Sequence, residues 1–270
     1  MSQFTDLTPF RPLISLVRQQ APLVHCITNT VTICDCANLL LAAGASPTMA
    51  HHPEEVAEIT AGCRALVCNL GAMDDFDAML AAAPVAAKLG HPIVVDPVGC
   101  GGSTCRRQRF RQLAEAAQLT CIRGNASEIR ALARDAATVT GVDGKRIEAE
   151  DDFLLLEAEA KALAGRYHCM VIASGPVDLV TDDNRTIQVS AGHPMMTRIT
   201  GCGCMSSALL GAYLAVENSL ESAAAACSAM GYCGEVAAAR TIAEGRGTMT
   251  FHGWLIDEMS LLQADADQIY

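Results

Sequence analysis

Short uninterrupted apolar runs alternate with alanine- and leucine-rich stretches along most of the chain. Leu23 to Ile27, Ala65 to Leu70, Pro92 to Asp96, Leu119 to Ile122 and Cys169 to Ala173 read as buried strands, with a short extended piece from Ala45 to Met49. Between them the pattern predicts helices over 31–43, from Pro53 onward, and over 74–89, 104–117 and 154–165, with another beginning at Ala126. Gly44 stands where a helix C-terminus wants a left-handed residue, and Pro84 falls inside a helical run. Arg123-Gly124-Asn125 reads as a turn, and 140–152 as a polar loop. Two more short strands, Asp178 to Thr181 and Arg185 to Val189, flank Asp182-Asp183-Asn184 as a hairpin. Alanine-rich helices follow over about 205–217, 219–243 and 248–265. Strand–helix alternation of this kind predicts an α/β fold, a mostly parallel sheet with helices on both faces. No break in composition marks a second domain, so residues 1–270 are expected to form one.

In such sheets ligands bind beyond the carboxyl ends of the strands. There the chain places Asn29, Met49, Gly71, Asp96, Arg123 and Ser174, one after each successive strand. Asp96 and Glu128 are two carboxylates able to lean over one crevice and hold magnesium, which takes few protein oxygens and keeps its waters. Taken alone, each is more simply accounted for by local capping: Asp96 closes a glycine-rich loop, and Glu128 lies in the first turn of a helix. Arg123 suits a phosphate clamp or a solvated surface position. His25, His51, His52 and His193 read as satisfied or surface histidines.

The densest signal is Thr200-Gly201-Cys202-Gly203-Cys204, followed at once by a small-residue helix. Unpaired N–H groups at a helix start, with glycines that let a ligand approach, make an anion hole for a phosphoryl group. Cys204 falls in the first turn, where the helix end should lower its thiol pKa.

Composition narrows the reading. The formal net charge is −11 and no basic tail is present, which argues against a nucleic-acid partner. No stretch is apolar enough for a membrane span, and 13 scattered cysteines fit a reduced, cytoplasmic chain rather than a disulfide framework. Cys34-x-Cys36 and Cys202-x-Cys204 lack zinc-site spacing.

Asn125-Ala126-Ser127-Glu128 resembles the N-x-x-E motif of the ribokinase-like kinases, and Gly201-Cys202-Gly203-Cys204 their G-x-G-D motif, with Cys in the place of Asp. Thr28-Asn29, Ala45-Ser46-Pro47-Thr48-Met49-Ala50, Val95-Asp96-Pro97-Val98-Gly99, Ile122-Arg123-Gly124-Asn125 and Thr200 to Cys204 are similar, in order and spacing, to the hydroxyethylthiazole kinase family of thiamine salvage. The resemblance covers roughly residues 20 to 265. It implies a ribokinase-like fold and ATP-dependent phosphorylation of the hydroxyl of 4-methyl-5-(2-hydroxyethyl)thiazole. It also implies Mg2+ as cofactor and a homotrimer with sites between subunits. On this resemblance Met49 and Gly201 take the thiazole, with Asn29 and Gly71 lining its site. Arg123 and Ser174 take ATP, and Asp96 and Glu128 hold the metal. Gly201 and Gly203 form the anion hole, and Cys204 is the base. A hydroxymethylpyrimidine kinase, a kinase of another small heterocyclic alcohol, an ATP-dependent nicotinamide-hydrate dehydratase of similar fold, which would be expected to keep Asp where this chain has Cys204, and a non-catalytic nucleotide-binding regulator are the alternatives.

Overall fold

The computed structural model describes residues 4–137 and 150–262. In chain order the elements are α1 (Arg11–Gln20), β1 (Leu23–Ile27), α2 (Ile33–Ala42), β2 (Ser46–Thr48), α3 (Val56–Gly62), β3 (Ala65–Asn69), α4 (Phe76–Leu89), β4 (Ile93–Asp96) and α5 (Thr104–Ala116). They continue with β5 (Cys121–Asn125), α6 (Ala126–Arg134), α7 (Glu150–Tyr167), β6 (Met170–Ser174), β7 (Asp178–Thr181), β8 (Thr186–Val189), α8 (Cys202–Val216), α9 (Leu220–Ala243) and α10 (Thr248–Leu261). The eight strands form one sheet in the order β2-β1-β3-β4-β5-β6-β7-β8. β2 through β6 pair in parallel, and β7 and β8 close the edge antiparallel.

The strand interiors are apolar because both faces are covered. Ala65 and Val67 of β3 and Val94 of β4 face one core with α1, α2, α8, α9 and α10. Leu66 and Cys68, with Ile93 and Val95, face the other core, made with α4 to α7. Gly211 lets α8 lie close on the sheet, since a Cβ there would stand 2.6 Å from Val67 Cγ2. That approach fixes the height of the α8 N-terminus above the strand ends.

Three expectations are corrected. Arg123-Gly124-Asn125 is the end of β5, not a turn, because its pairing with β6 continues through Arg123–Ile172, Gly124–Ala173 and Asn125–Ser174. Of the polar loop expected over 140–152, residues 140–149 lie outside the described residues, and 150–152 already belong to α7. α8 starts at Cys202 rather than near Met205, because Gly201 at φ 85° turns the chain directly into the helix. The amphipathic α1 was not singled out by the pattern.

Candidate active site

Because β2, β1, β3, β4, β5 and β6 run parallel, their carboxyl ends line one edge of the sheet. In spatial order that edge carries Met49, Asn29, Asn69 with Gly71, Asp96, Arg123 with Asn125, and Ser174. The N-terminus of α8 sits over the middle of this row. Its first return bond is Met205 N–H to the Gly201 carbonyl at 2.8 Å, so the amides preceding Met205 have no partner within the helix. Gly201 is left-handed, and a Cβ there would lie 2.6 Å from Thr32 Cγ2. Gly203 has no such strain, yet a Cβ on it would press to 3.0 Å of the Arg123 guanidinium. Arg123 Nη1 donates to the Gly203 carbonyl at 2.9 Å, tying the end of β5 to the glycine turn. This arginine is half-buried, and Asp96 and Asp178 beside it hold its pKa above the ordinary value against the opposing effect of burial.

Cys204 lies in the first turn of α8 and its sulfur accepts two amide hydrogens, from Asn69 Nδ2 at 3.1 Å and Asn29 Nδ2 at 3.3 Å. The expected lowering of its pKa is not found. Burial, with the Asp96 charge nearby, pushes the thiol above its usual value, outweighing the hydrogen bonds from Thr32, Asn29 and Asn69. Desolvation acts on the whole anion, whereas the helix end supplies only partial charge.

Asp96 is 2% exposed. Its Oδ2 accepts from Ser207 Oγ at 2.8 Å and from Asn69 Nδ2 at 3.3 Å. Glu128 closes a capping box: its Oε2 accepts the Asn125 N–H at 2.9 Å, and Asn125 Oδ1 accepts the Glu128 N–H at 3.0 Å. Glu128 Oε1 accepts the Gly99 N–H at 2.9 Å, which shapes the glycine loop after β4. Arg106 on α5 braces the same loop by donating to the carbonyls of Leu70 and Val98. Burial pushes Asp96 upward, and burial together with the neighbouring Asp96 pushes Glu128 to about 7.

That pair fits a divalent cation. Two desolvated carboxylates, with the Asp96 charge raising the Glu128 pKa, favour a cation between them, and magnesium needs few protein oxygens when water and phosphate complete its shell. Among the described residues no cluster of three or more His, Cys, Asp or Glu forms an all-protein cage, and neither Cys-x-Cys pair has gathered zinc ligands.

The remaining expected residues fall on the same edge. Ser174 Oγ donates to the Gly124 carbonyl at 3.2 Å. Met49 follows β2, half-buried against the core that also contacts Cys204. His25 is a satisfied core histidine, its Nδ1 paired with Thr60 Oγ1 and its Nε2 with the Ala50 carbonyl, both at 2.8 Å. Two residues of the network were not singled out from the sequence. Asn69 had a signal, a polar residue ending an otherwise apolar strand, as at Asp96. Ser207 had a weaker one, three positions after Cys204 on the same helix face.

A family model, the hydroxyethylthiazole kinase family, matches residues 14–265. A hydroxyethylthiazole kinase of Nitratidesulfovibrio vulgaris is 44% identical, with 93% of this chain and 92% of that protein covered. One from Clostridium acetobutylicum is 41% identical over 92% of this chain and 93% of that protein. Among solved structures, the hydroxyethylthiazole kinase protein of Pyrococcus horikoshii OT3 superposes with a TM-score of 0.82 at 33% identity, covering 94% of each chain. A ribokinase-like superfamily protein from Enterococcus faecalis shares the fold, with a TM-score of 0.61 at 11% identity over 93% of this chain and 90% of that one.

Proposed function

The chain belongs to the hydroxyethylthiazole kinase family, and from that premise we propose that it transfers the γ-phosphoryl group of ATP to the hydroxyl of 4-methyl-5-(2-hydroxyethyl)thiazole, using one kinase domain over residues 1–270. The observation that carries this reading is the N-terminus of α8: free amides and Cys204 over the strand ends, joined to Asp96 through Asn69 and Ser207. Phosphoryl transfer proceeds through a loose transition state, so positioning and charge stabilisation supply most of the catalysis. The Gly201–Cys204 amides face the transferring phosphoryl group, where donors already in place cost no reorganisation. Arg123 and Ser174 hold the nucleotide, and Asn29, Met49, Gly71 and Gly201 form the thiazole side. Asp96 and Glu128 would hold Mg2+, which would supply neutralisation of the phosphate charge. The alcohol surrenders its proton late, so a strong base is not needed, and the thiolate form of Cys204 takes that proton and becomes the thiol.

The test is a panel of hydroxyethylthiazole, hydroxymethylpyrimidine and pyridoxal with ATP and Mg2+, read by product mass. Thiazole phosphate is the expected main product; pyrimidine phosphate without it would replace the assignment.

Glu128→Gln has two expected readouts. The Mg2+ concentration for half-maximal rate should rise while KM for the thiazole stays within about twofold. In addition, a carboxyl raised to about 7 in the folded state stabilises the fold below its unfolded value, and that contribution fades as pH rises through about 7. Thermal melts of the variant should therefore lose less stability between pH 5 and pH 8 than those of the wild type. An unchanged Mg2+ titration would remove Glu128 from the metal role.

A homotrimer is the proposed assembly. Exposed apolar side chains support it: Val31 beside α2 is 71% exposed, Leu41 on α2 59%, and Met249 on α10 81%. Sedimentation should give three times the chain mass, and a monomer at assay concentration would refute it. The proposed compartment is the cytoplasm, which suits a chain whose 13 cysteines are all free. Among the described residues, no helix is long and apolar enough to cross a membrane.

A further inference from the structure

Asn69 ends β3, is 1% exposed, and has every polar atom of its amide engaged. The Gly71 N–H donates to its Oδ1 at 2.7 Å. That bond sets which way the amide faces, since the opposite orientation would point NH2 at an N–H donor. Its Nδ2 must then face the other way, where it donates to Cys204 Sγ at 3.1 Å and to Asp96 Oδ2 at 3.3 Å. Asn29 lies beside it: its Oδ1 accepts from Thr32 Oγ1 at 3.2 Å, and its Nδ2 donates to the same sulfur at 3.3 Å. The arrangement requires a glycine at 71, because a Cβ there would stand 2.6 Å from Asn69 Oδ1 and 3.1 Å from Asn29 Nδ2.

We propose that Asn69 is a positioning residue for the transfer: its amide, locked by Gly71, ties the Cys204 sulfur to the Asp96 carboxylate and so sets the alcohol side of the site against the phosphoryl side. This rests on the reading of Cys204 as the group that faces the substrate hydroxyl. Neither Cys204 nor Asp96 needs Asn69 for the stability of its own element. Cys204 is carried by α8, and Asp96 by the β3–β4 pairing and by Ser207. What Asn69 adds is their mutual placement. A displacement of about 1 Å in a reacting group costs on the order of 100-fold in rate, which sets the scale of the effect.

The test is a double-mutant cycle on kcat with Asn69→Ala and Cys204→Ala, accompanied by alkylation of Cys204 followed by peptide mass in Asn69→Asp. In the wild-type background Asn69→Ala should lower kcat by about 10- to 100-fold, with KM for thiazole and for ATP within about twofold. In the Cys204→Ala background the same change should lower kcat by less than about threefold, because the residue it positions is gone. Asn69→Asp keeps the size and the Gly71 bond but turns a donor on the sulfur into a carboxylate. Iodoacetamide should therefore modify Cys204 several-fold more slowly, while the exposed Cys34 reacts at its wild-type rate. Equal kcat losses in both backgrounds, or Cys204 alkylation at the wild-type rate in Asn69→Asp, would overturn the proposal. A wild-type enzyme that makes no thiazole phosphate would instead overturn the substrate assignment, and the alkylation comparison, which needs no turnover, would still decide whether the residue 69 side chain acts on the Cys204 sulfur.

Discussion

Gly201→Ala should lower kcat by about 100- to 1,000-fold, the range found when a preorganised donor to a developing anion is lost. Two costs coincide at this residue. An alanine at φ 85° sits in the left-handed region at about 1–2 kcal/mol, and its Cβ would meet Thr32 Cγ2 at 2.6 Å. Backbone relief of that clash tilts the first turn of α8 and swings its free amides off the phosphoryl path. The same push reaches the sulfur, since Thr32 Oγ1 holds Asn29 Oδ1 and Asn29 Nδ2 holds Cys204. Thr32→Ser removes the clashing methyl and keeps the hydroxyl, so adding it to Gly201→Ala should recover part of the rate. The measurements are kcat, both KM values and a thermal melt for the single and double variants. A Gly201→Ala enzyme within threefold of wild-type kcat, melting normally, would remove the glycine turn from the catalytic machinery.

The second large effect concerns Cys204. Cys204→Ala should lower kcat by up to about 10²–10⁴-fold, the span for a lost general base. Cys204→Asp should keep or raise it. A carboxylate at this position would not be an unpaired buried charge, because the Asn69 and Asn29 amides already donate toward the sulfur and the helix end favours negative charge. The pH profiles should differ in a defined sense. Burial and Asp96 hold the Cys204 thiol above its usual value. The thiolate fraction in the wild type is therefore small at pH 7, and kcat should climb into the alkaline range. An aspartate is ionised throughout that range, so the climb should vanish in Cys204→Asp. An alanine variant at the wild-type rate together with an inactive aspartate variant would reduce Cys204 to a packing role, leaving the glycine turn and Asp96 to carry the chemistry.

Periodicity and local chemistry made the fold legible. Apolar runs at Ala65 to Leu70 and Pro92 to Asp96 read as strands covered on both faces, and the glycines at 201 and 203 announce a turn into a helix. The rule that strand ends carry the ligands picks out Asn29, Met49, Gly71, Asp96, Arg123 and Ser174 from the sequence, and all of them fall along one edge of the sheet. The local pattern stopped short at Arg123-Gly124-Asn125. A glycine between polar residues reads as a turn until pairing with β6 draws it into the sheet. Two matters belonged to tertiary structure alone. One was the sign of the shift at Cys204: the helix end is visible in the sequence, but the burial and the Asp96 charge that outweigh it come from β3, β4 and α8 meeting. The other was Asn69, 135 positions from Cys204 along the chain and 3.1 Å from its sulfur. Its amide has a defined orientation only because the Gly71 backbone folds back onto it. Hydrogen-bond direction and desolvation depend on three-dimensional neighbours, whereas strand and helix periodicity depend on neighbours in the chain, and the sequence by itself determines only the second.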